Sequence, residues 1–295
     1  MSSKKYFDNN QKCAPGLEYT NGSCIPLSIL TEMAEAYNKY KSNNLKNKYT
    51  NDVSTNDQLF DLTKYVNNSD KLKTYLVDKF QEIYNDKKQH EWIKQHFMTH
   101  MNKKSIDFLK NNTFRPSGPQ GQFDWLSTIN IDLVLEQYEY KYNDFEFLGA
   151  VPIDFEELTF LPFQNMNFND FEKKNKKRIG IIFNLDEHYK SGSHWVSLFC
   201  NLEKGQIYYS DSYGILPEKR IVSFIDKMKQ YMKNKKLNID YQINRTQHQT
   251  GGSECGVYSI NFILRLLKGK TFEHITNKRL TDEQVNKCRN VYFTK

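Results

Sequence analysis

In the segment 249–256 (QTGGSECG), a cysteine occupies a position where its thiol would be reactive. The segment places Cys255 immediately before an apolar helical pattern. The unpaired N–H groups and the positive dipole of a helix N-terminus favour the thiolate, which is the nucleophilic form of cysteine. Gly251 and Gly252 allow the backbone to turn tightly, and Gly256 leaves one flank of the sulfur open. The segment therefore predicts that Cys255 is a nucleophile.

A thiol nucleophile needs a base, and the base needs a group that holds its tautomer. His194 follows the polar loop 190–193 and precedes an apolar strand pattern, while Asp211 ends the next strand pattern. If these strands pair as a hairpin through the turn at 203–205, the imidazole and the carboxylate meet. His188 is the alternative base. A loop histidine taken alone is ordinarily just a solvated residue, so the choice of His194 depends on the neighbouring Asp211.

The order and spacing of these residues resemble those of a known enzyme family. Seventeen positions separate His194 from Asp211, and six separate Gln249 from Cys255. This arrangement is similar to that of the ubiquitin-like-protein-specific cysteine proteases, which include the SUMO-deconjugating enzymes and the adenovirus maturation protease. The motifs that carry the resemblance are His194-Trp195, Asp211-Ser212 and the run from Gln249 to Cys255-Gly256.

The resemblance implies a site for stabilising an oxyanion. In the family, a glutamine side chain and the backbone N–H of the cysteine form the oxyanion hole. These roles would fall on Gln249 and Cys255 in this sequence. Gln247 is the alternative donor, but its spacing to the cysteine is longer.

Two tryptophans also resemble residues of this family. Trp125-Leu126 resembles the early Trp-Leu element of the family, whose tryptophan walls a narrow tunnel with the tryptophan beside the catalytic histidine, here Trp195. A tunnel between two indoles admits a chain without side chains, so the resemblance implies cleavage after Gly-Gly. The alternative is that both tryptophans are ordinary core residues.

The resemblance extends over residues 120 to 268. The sequence of residues 125 to 132 (WLSTINID) looks most like that of the family branch carried by large DNA viruses. In that branch a helical N-terminal extension is expected, and the enzyme matures structural polyproteins at Gly-Gly-X sites. The expected location is the virion or the host cytoplasm.

The pattern of apolar residues predicts an α+β fold. The expected architecture is a papain-like or adenain-like core with a central mixed sheet flanked by helices, preceded by a mainly helical extension. We predict an extension over residues 1–112 and a catalytic domain over 113–295, because Pro and Gly concentrate just after this boundary. The helices are expected around 30–37, 72–84, 92–108, 128–138, 217–232 and from 255 onward, and the strands at 178–185, 195–202, 206–210 and 240–244.

Composition limits the other classes of function. The net charge of +7 reflects 42 basic and 35 acidic residues, and the cluster at 173–178 is expected to be a solvated surface. Weak nucleic-acid binding through such basic patches is the alternative interpretation. Five scattered cysteines argue against a disulfide scaffold. Cys13 and Cys24 are expected to be free thiols rather than a pair or part of a metal site, and Cys200 and Cys288 to be inert.

No metal or other cofactor is expected. His96 and His100 stand four residues apart and His90 lies nearby, but no glutamate occupies the position that a zinc-protease motif requires. No apolar stretch of membrane-spanning length is present in the sequence. The partner that the resemblance implies is a polypeptide substrate, either a viral polyprotein or a ubiquitin-like conjugate, and the oligomeric state is not predicted.

The sequence leaves several functions open beside a polyprotein-processing endopeptidase. The same catalytic residues could serve a protease that removes a SUMO-type modifier, or an enzyme that transfers acetyl groups. A nucleic-acid-binding or scaffold protein with a vestigial site is the alternative from another class.

Overall fold

The computed structural model describes residues 12–46, 59–85 and 88–294. It divides into two compact units, one comprising Met1–Arg115 with Thr294 and the other comprising Pro116–Phe293. Each unit has a hydrophobic core of its own.

The N-terminal unit is helical, as the apolar periodicity predicts. Its core is rich in aromatic rings, among them Tyr37, Phe80 and Phe97, which pack within 6.5 Å of one another. The predicted helix through 92–108 is wrong in detail, because Asn102 starts a new helix by accepting the N–H of Lys104. The elements are α1 (Leu27–Lys46), α2 (Ser69–Tyr84), α3 (Gln89–Trp92), a 3-10 helix (His96–His100) and α4 (Lys103–Asn112).

The expectation of free thiols at Cys13 and Cys24 is also wrong, because the two form a disulfide. A tight turn closes between them through reciprocal backbone hydrogen bonds of Thr20 and Ser23, at 3.1 and 3.0 Å. Gly22, with φ of +83°, permits this turn. The turn brings the cysteine Cα atoms within 5.3 Å. Sequence spacing alone does not disclose such a pairing.

The second unit is built on a five-stranded mixed sheet of order β1-β2-β3-β4-β5. The two central pairings, β2 with β3 and β3 with β4, are antiparallel, whereas the edge strands pair in parallel. The predicted hairpin is thereby confirmed. The strands are β1 (Phe145–Pro152), β2 (Arg178–Asn184), β3 (Trp195–Asn201), β4 (Gln206–Ser210) and β5 (Asp240–Ile243).

Helices cover both faces of this sheet, so the α+β prediction is confirmed. On one face, α5 (Thr128–Lys141) and α8 (Cys255–Leu267) share a core with the sheet. On the other face, α7 (Lys219–Asn234) packs with Phe residues from the β1–β2 connection. The remaining helices are short: α6 (Asn169–Lys173), α9 (Phe272–Asn277), α10 (Asp282–Asn286) and α11 (Arg289–Tyr292).

Candidate active site

Cys255 is the first residue of α8, where the sequence places it. Its side chain is buried, with 2% exposure. The next position favours glycine, because a Cβ on Gly256 would lie 3.1 Å from Leu126 Cβ and 3.3 Å from Trp195 Cδ1, so these side chains would have to move slightly. The glycine thus lets the start of α8 pack closely against the wall of the site.

The β3–β4 hairpin brings His194 and Asp211 together. Ser197 pairs with Ser210, so the residues just before β3 and just after β4 lie at the same end of the sheet. His194 Nε2 lies 2.8 Å from Asp211 Oδ1. The same carboxylate oxygen accepts the N–H of Tyr213 at 2.7 Å, and the Asp211 side chain is fully buried. This geometry places the imidazole proton on Nε2 and leaves Nδ1 for a second partner.

The second partner of His194 is Cys255. Burial lowers the pKa of His194, but its hydrogen bonds to Asp211 and Cys255 and the charges of both groups outweigh burial and raise the pKa to about 9. The imidazole is therefore protonated at neutral pH beside the sulfur. A cysteine beside a histidine that is held by a carboxylate is the arrangement that an acyl-transfer nucleophile needs.

The rival base, His188, lies in a different place. Its Nδ1 is 2.5 Å from Asp154 Oδ2, and half of its side chain is exposed. It lines a cleft rather than contacting the sulfur. The structure thus offers two His–Asp pairs, of which the His194 pair adjoins Cys255.

Gln249 is fully buried and contacts Ser212, the residue that follows Asp211. Its Oε1 accepts the Ser212 hydroxyl at 2.6 Å, and its Nε2 donates to Gly251 O at 2.9 Å and to Tyr213 Oη at 3.2 Å. The alternative glutamine, Gln247, is exposed and donates to the Gln249 carbonyl at 3.0 Å. Of the two, Gln249 has the fixed side chain that an oxyanion donor requires.

Two residues that the sequence analysis missed hold this loop. Asp282, in α10, accepts the N–H groups of Thr250 at 3.0 Å and Gly251 at 2.8 Å. Tyr213 stacks on His194 with ring centroids 4.9 Å apart. The register of the β3–β4 hairpin, continued past its end, would have placed Tyr213 opposite His194. No local pattern marks Asp282.

The tryptophans flank one cleft of about 630 Å³, which both Trp125 and Trp195 line. Trp195 is buried, and its Nε1–H donates to Leu126 O at 3.0 Å. Trp125 is 52% exposed, so it is not a core residue. One indole is thus a fixed wall, and the other stands at the open side of the cleft.

The basic cluster at 173–178 is largely neutralised. Lys173 pairs with Asp170 at 2.8 Å, and Lys177 pairs with Glu203 at 2.7 Å. Arg178 binds Asp144 through two nitrogens. These pairs fit the solvated surface that the sequence analysis favours.

The described residues offer neither a metal site nor a membrane-spanning helix. Among residues 12–46, 59–85 and 88–294, no group of three His, Cys, Asp or Glu side chains is arranged to hold a metal ion. His96 and His100 lie on a 3-10 helix, whose three-residue turn does not align side chains four apart. Within the same described ranges, no helix has both the length and the apolar character needed to cross a bilayer.

Comparison with known proteins places this geometry in a family. Residues 161–295 match the model for the Ulp1 protease family, C-terminal catalytic domain, and this range contains His194, Asp211, Gln249 and Cys255. Over 277 residues the chain is 37% identical to a mimivirus protein named as a thiol protease (Acanthamoeba polyphaga mimivirus), covering 92% of this chain and 89% of the relative. The chain belongs to the Ulp1 cysteine protease family.

Membership of the Ulp1 family makes the protein a cysteine protease and confirms the resemblance drawn from the motifs. A second viral relative is named the SUMO-1 cysteine protease of African swine fever virus, and it is 26% identical over 211 residues, covering 64% of this chain and 76% of the relative. A crystal structure of the African swine fever virus protease aligns with a TM-score of 0.58 at 21% identity, covering 78% of this chain and 94% of that one. That alignment supports the α+β fold.

Proposed function

We propose that this protease is an endopeptidase that cleaves polypeptides after Gly-Gly and matures the structural polyproteins of a large DNA virus. It would act in the virion or in the cytoplasm of the infected cell. The catalytic part rests on the 2.8 Å hydrogen bond between His194 and Asp211, and on the position of Cys255 at the start of α8, close enough to raise the pKa of His194. The substrate part is supported by the viral relatives and by the two tryptophans beside the cleft.

Acylation of the enzyme begins with the Cys255 thiolate. Its sulfur attacks the carbonyl carbon after the second glycine, and the carbonyl oxygen becomes an oxyanion. The Cys255 N–H, free at the first position of α8, and the Gln249 side chain are the proposed donors to that oxyanion. His194 then gives its Nδ1 proton to the amine nitrogen as the C–N bond breaks, which leaves a thioester.

Deacylation uses the same groups in reverse. Neutral His194 removes a proton from water, and the resulting hydroxide attacks the thioester carbonyl. The C–S bond then breaks, which releases the carboxylate product and restores the thiolate beside the imidazolium. The Asp211 carboxylate keeps Nε2 protonated throughout, because its 2.8 Å hydrogen bond fixes the ring.

The cleft supports a requirement for glycine. Trp195 is anchored to Leu126, and the backbone of α8 packs against both through Gly256. Trp125 can approach Trp195 closely only where the bound polypeptide has no bulky side chains. Two residues without side chains before the scissile bond satisfy that condition.

The proposal is tested by cleavage of a synthetic Gly-Gly-X peptide. Parent enzyme should cleave it, whereas Cys255→Ala should have no activity because no other group attacks the carbonyl. Cys288→Ala, which removes a half-buried thiol outside the site, is the matched control and should keep parent activity. Cleavage by Cys255→Ala at the parent rate would refute the assignment, and equal cleavage of an Ala-Ala-X peptide would refute the glycine requirement.

A second candidate function is removal of a SUMO-type modifier from host proteins. The name of the African swine fever virus relative, SUMO-1 cysteine protease, favours it. Both functions use the same chemistry, so the two are separated by substrate. A SUMO conjugate and a viral polyprotein should be compared at equal concentration, and preferential cleavage of the conjugate would replace our proposal. Nucleic-acid binding has less support, because the basic cluster at 173–178 is paired with carboxylates.

A further inference from the structure

Tyr213 contacts both halves of the active site. Its ring stacks on the imidazole of His194 with an interplanar angle of 28°, and its main-chain N–H donates to Asp211 Oδ1. Its phenol extends in the other direction, toward the loop that precedes the nucleophile. A single residue thus touches the base, the acid that orients the base, and the loop of Gln249.

The phenol of Tyr213 makes two hydrogen bonds to that loop. Its O–H donates to Gly251 O at 2.7 Å, and its oxygen accepts an N–H of Gln249 at 3.2 Å. Gln249 also donates to Gly251 O at 2.9 Å, and because Gly251 O and Tyr213 Oη are only 2.7 Å apart, one N–H of the carboxamide serves both and the other N–H is left for the oxyanion. The three groups therefore form a closed ring of hydrogen bonds, which fixes the carboxamide and the backbone four residues before Cys255.

We propose that Tyr213 is a positioning residue with two separable parts. The ring holds the plane of His194, and the hydroxyl holds Gln249 and Gly251 in the geometry that receives the oxyanion. This inference rests on the proposed endopeptidase function, but it concerns a residue outside the His–Asp–Gln–Cys set. A residue with a ring and no hydroxyl would supply only the first part.

The hydroxyl should affect acyl transfer but not the nucleophile. Without it, Gln249 keeps its bonds to Ser212 and Gly251, yet Gly251 O loses its shorter donor and the carboxamide loses one of three restraints. The oxyanion forms only during peptide cleavage. Alkylation of the sulfur by iodoacetamide forms no oxyanion and depends on the Cys255–His194 pair alone.

The decisive variant is Tyr213→Phe, which keeps the stacked ring. We expect kcat for a Gly-Gly-X peptide to fall about 3- to 10-fold, because the less restrained Gln249 makes a weaker hydrogen bond to the oxyanion, with KM and the alkylation rate of Cys255 unchanged. Tyr208→Phe is the matched control, because it also removes a phenol hydrogen bond, made to Asp240 on the outer strand β5. It should match parent in all three measurements.

The ring is tested with Tyr213→Leu, which removes the stack as well. This variant should lose more kcat than Tyr213→Phe and should also slow alkylation. The proposal is overturned if Tyr213→Phe has the parent kcat, or if its alkylation rate falls in proportion to kcat. A parent enzyme that neither cleaves the peptide nor reacts at Cys255 would instead refute the endopeptidase function.

Discussion

Two His–Asp pairs in the catalytic unit differ in what lies on the far side of the imidazole. His194 and Asp211 are shielded, with 13% and 0% of their side chains exposed, whereas His188 is 50% exposed above Asp154. His194 bonds its carboxylate through Nε2 and also interacts with Cys255, while His188 uses Nδ1 for its carboxylate. A His–Asp pair therefore becomes a catalytic base only where a nucleophile completes it.

The electrostatic consequences of the two pairs also differ. Two acidic partners raise the pKa of His194 to about 9 despite burial. In the other pair, the pKa of the Asp154 carboxyl group is shifted. Burial raises the pKa of Asp154, but hydrogen bonds from the ring and N–H of His188 outweigh burial and lower it. In our proposal the first pair supplies the proton that a leaving group takes, whereas the second pair holds the loop that lines the cleft.

The largest expected effect separates the two histidines. His194→Ala should reduce kcat by about 100- to 10,000-fold, the usual contribution of a positioned acid–base group. His188→Ala should leave kcat unchanged, although KM can shift because His188 lines the cleft. Steady-state kinetics on one Gly-Gly-X peptide measures both. A larger loss of kcat in His188→Ala would reverse the assignment of the base.

We expect substitutions of the two carboxylates to differ in the same way, with a smaller loss of kcat. Asp211→Asn preserves volume but removes the charge that steadies the imidazolium, so we expect kcat to fall on the order of 10- to 100-fold. Asp154→Asn, the matched change in the other pair, should keep the parent kcat. Equal losses in the two variants would indicate that the carboxylates act on folding rather than on the base.

The smallest expected effect is on the pH dependence of stability. The folded pKa of His194, about 9, lies above its unfolded value of 6.5. Its stabilising contribution should therefore be complete below pH 6.5 and disappear as the pH rises through 9. Urea unfolding of parent and His194→Gln should then differ near pH 6 and converge near pH 10. A constant difference would contradict the raised pKa.

Much of this site follows from local sequence patterns. Cys255 is predicted because glycines and an apolar helix flank it, and the meeting of His194 with Asp211 follows from hairpin pairing. The family motifs added Gln249, which no periodicity would have selected. Cys255, His194 and Asp211 each lie at or next to the end of a regular element, where position in sequence determines position in space.

The missed features depend on contacts between distant segments. Asp282 reaches the loop before Cys255 from a short helix about thirty positions away, and its carboxylate carries no local signature. The Cys13–Cys24 disulfide needs a turn whose closure is visible only in three dimensions. The break in helix at Asn102 reflects capping that the apolar pattern conceals.

The most direct test of the account is to trap the nucleophile with a peptide that ends in Gly-Gly and carries an electrophile in place of the scissile bond. Mass spectrometry of the digested enzyme should place the adduct on Cys255, in parent and in His188→Ala, and should find it strongly diminished in His194→Ala. An adduct on Cys200 or Cys288, or equal labelling of Cys255 in both histidine variants, would contradict the pairing of His194 with the sulfur.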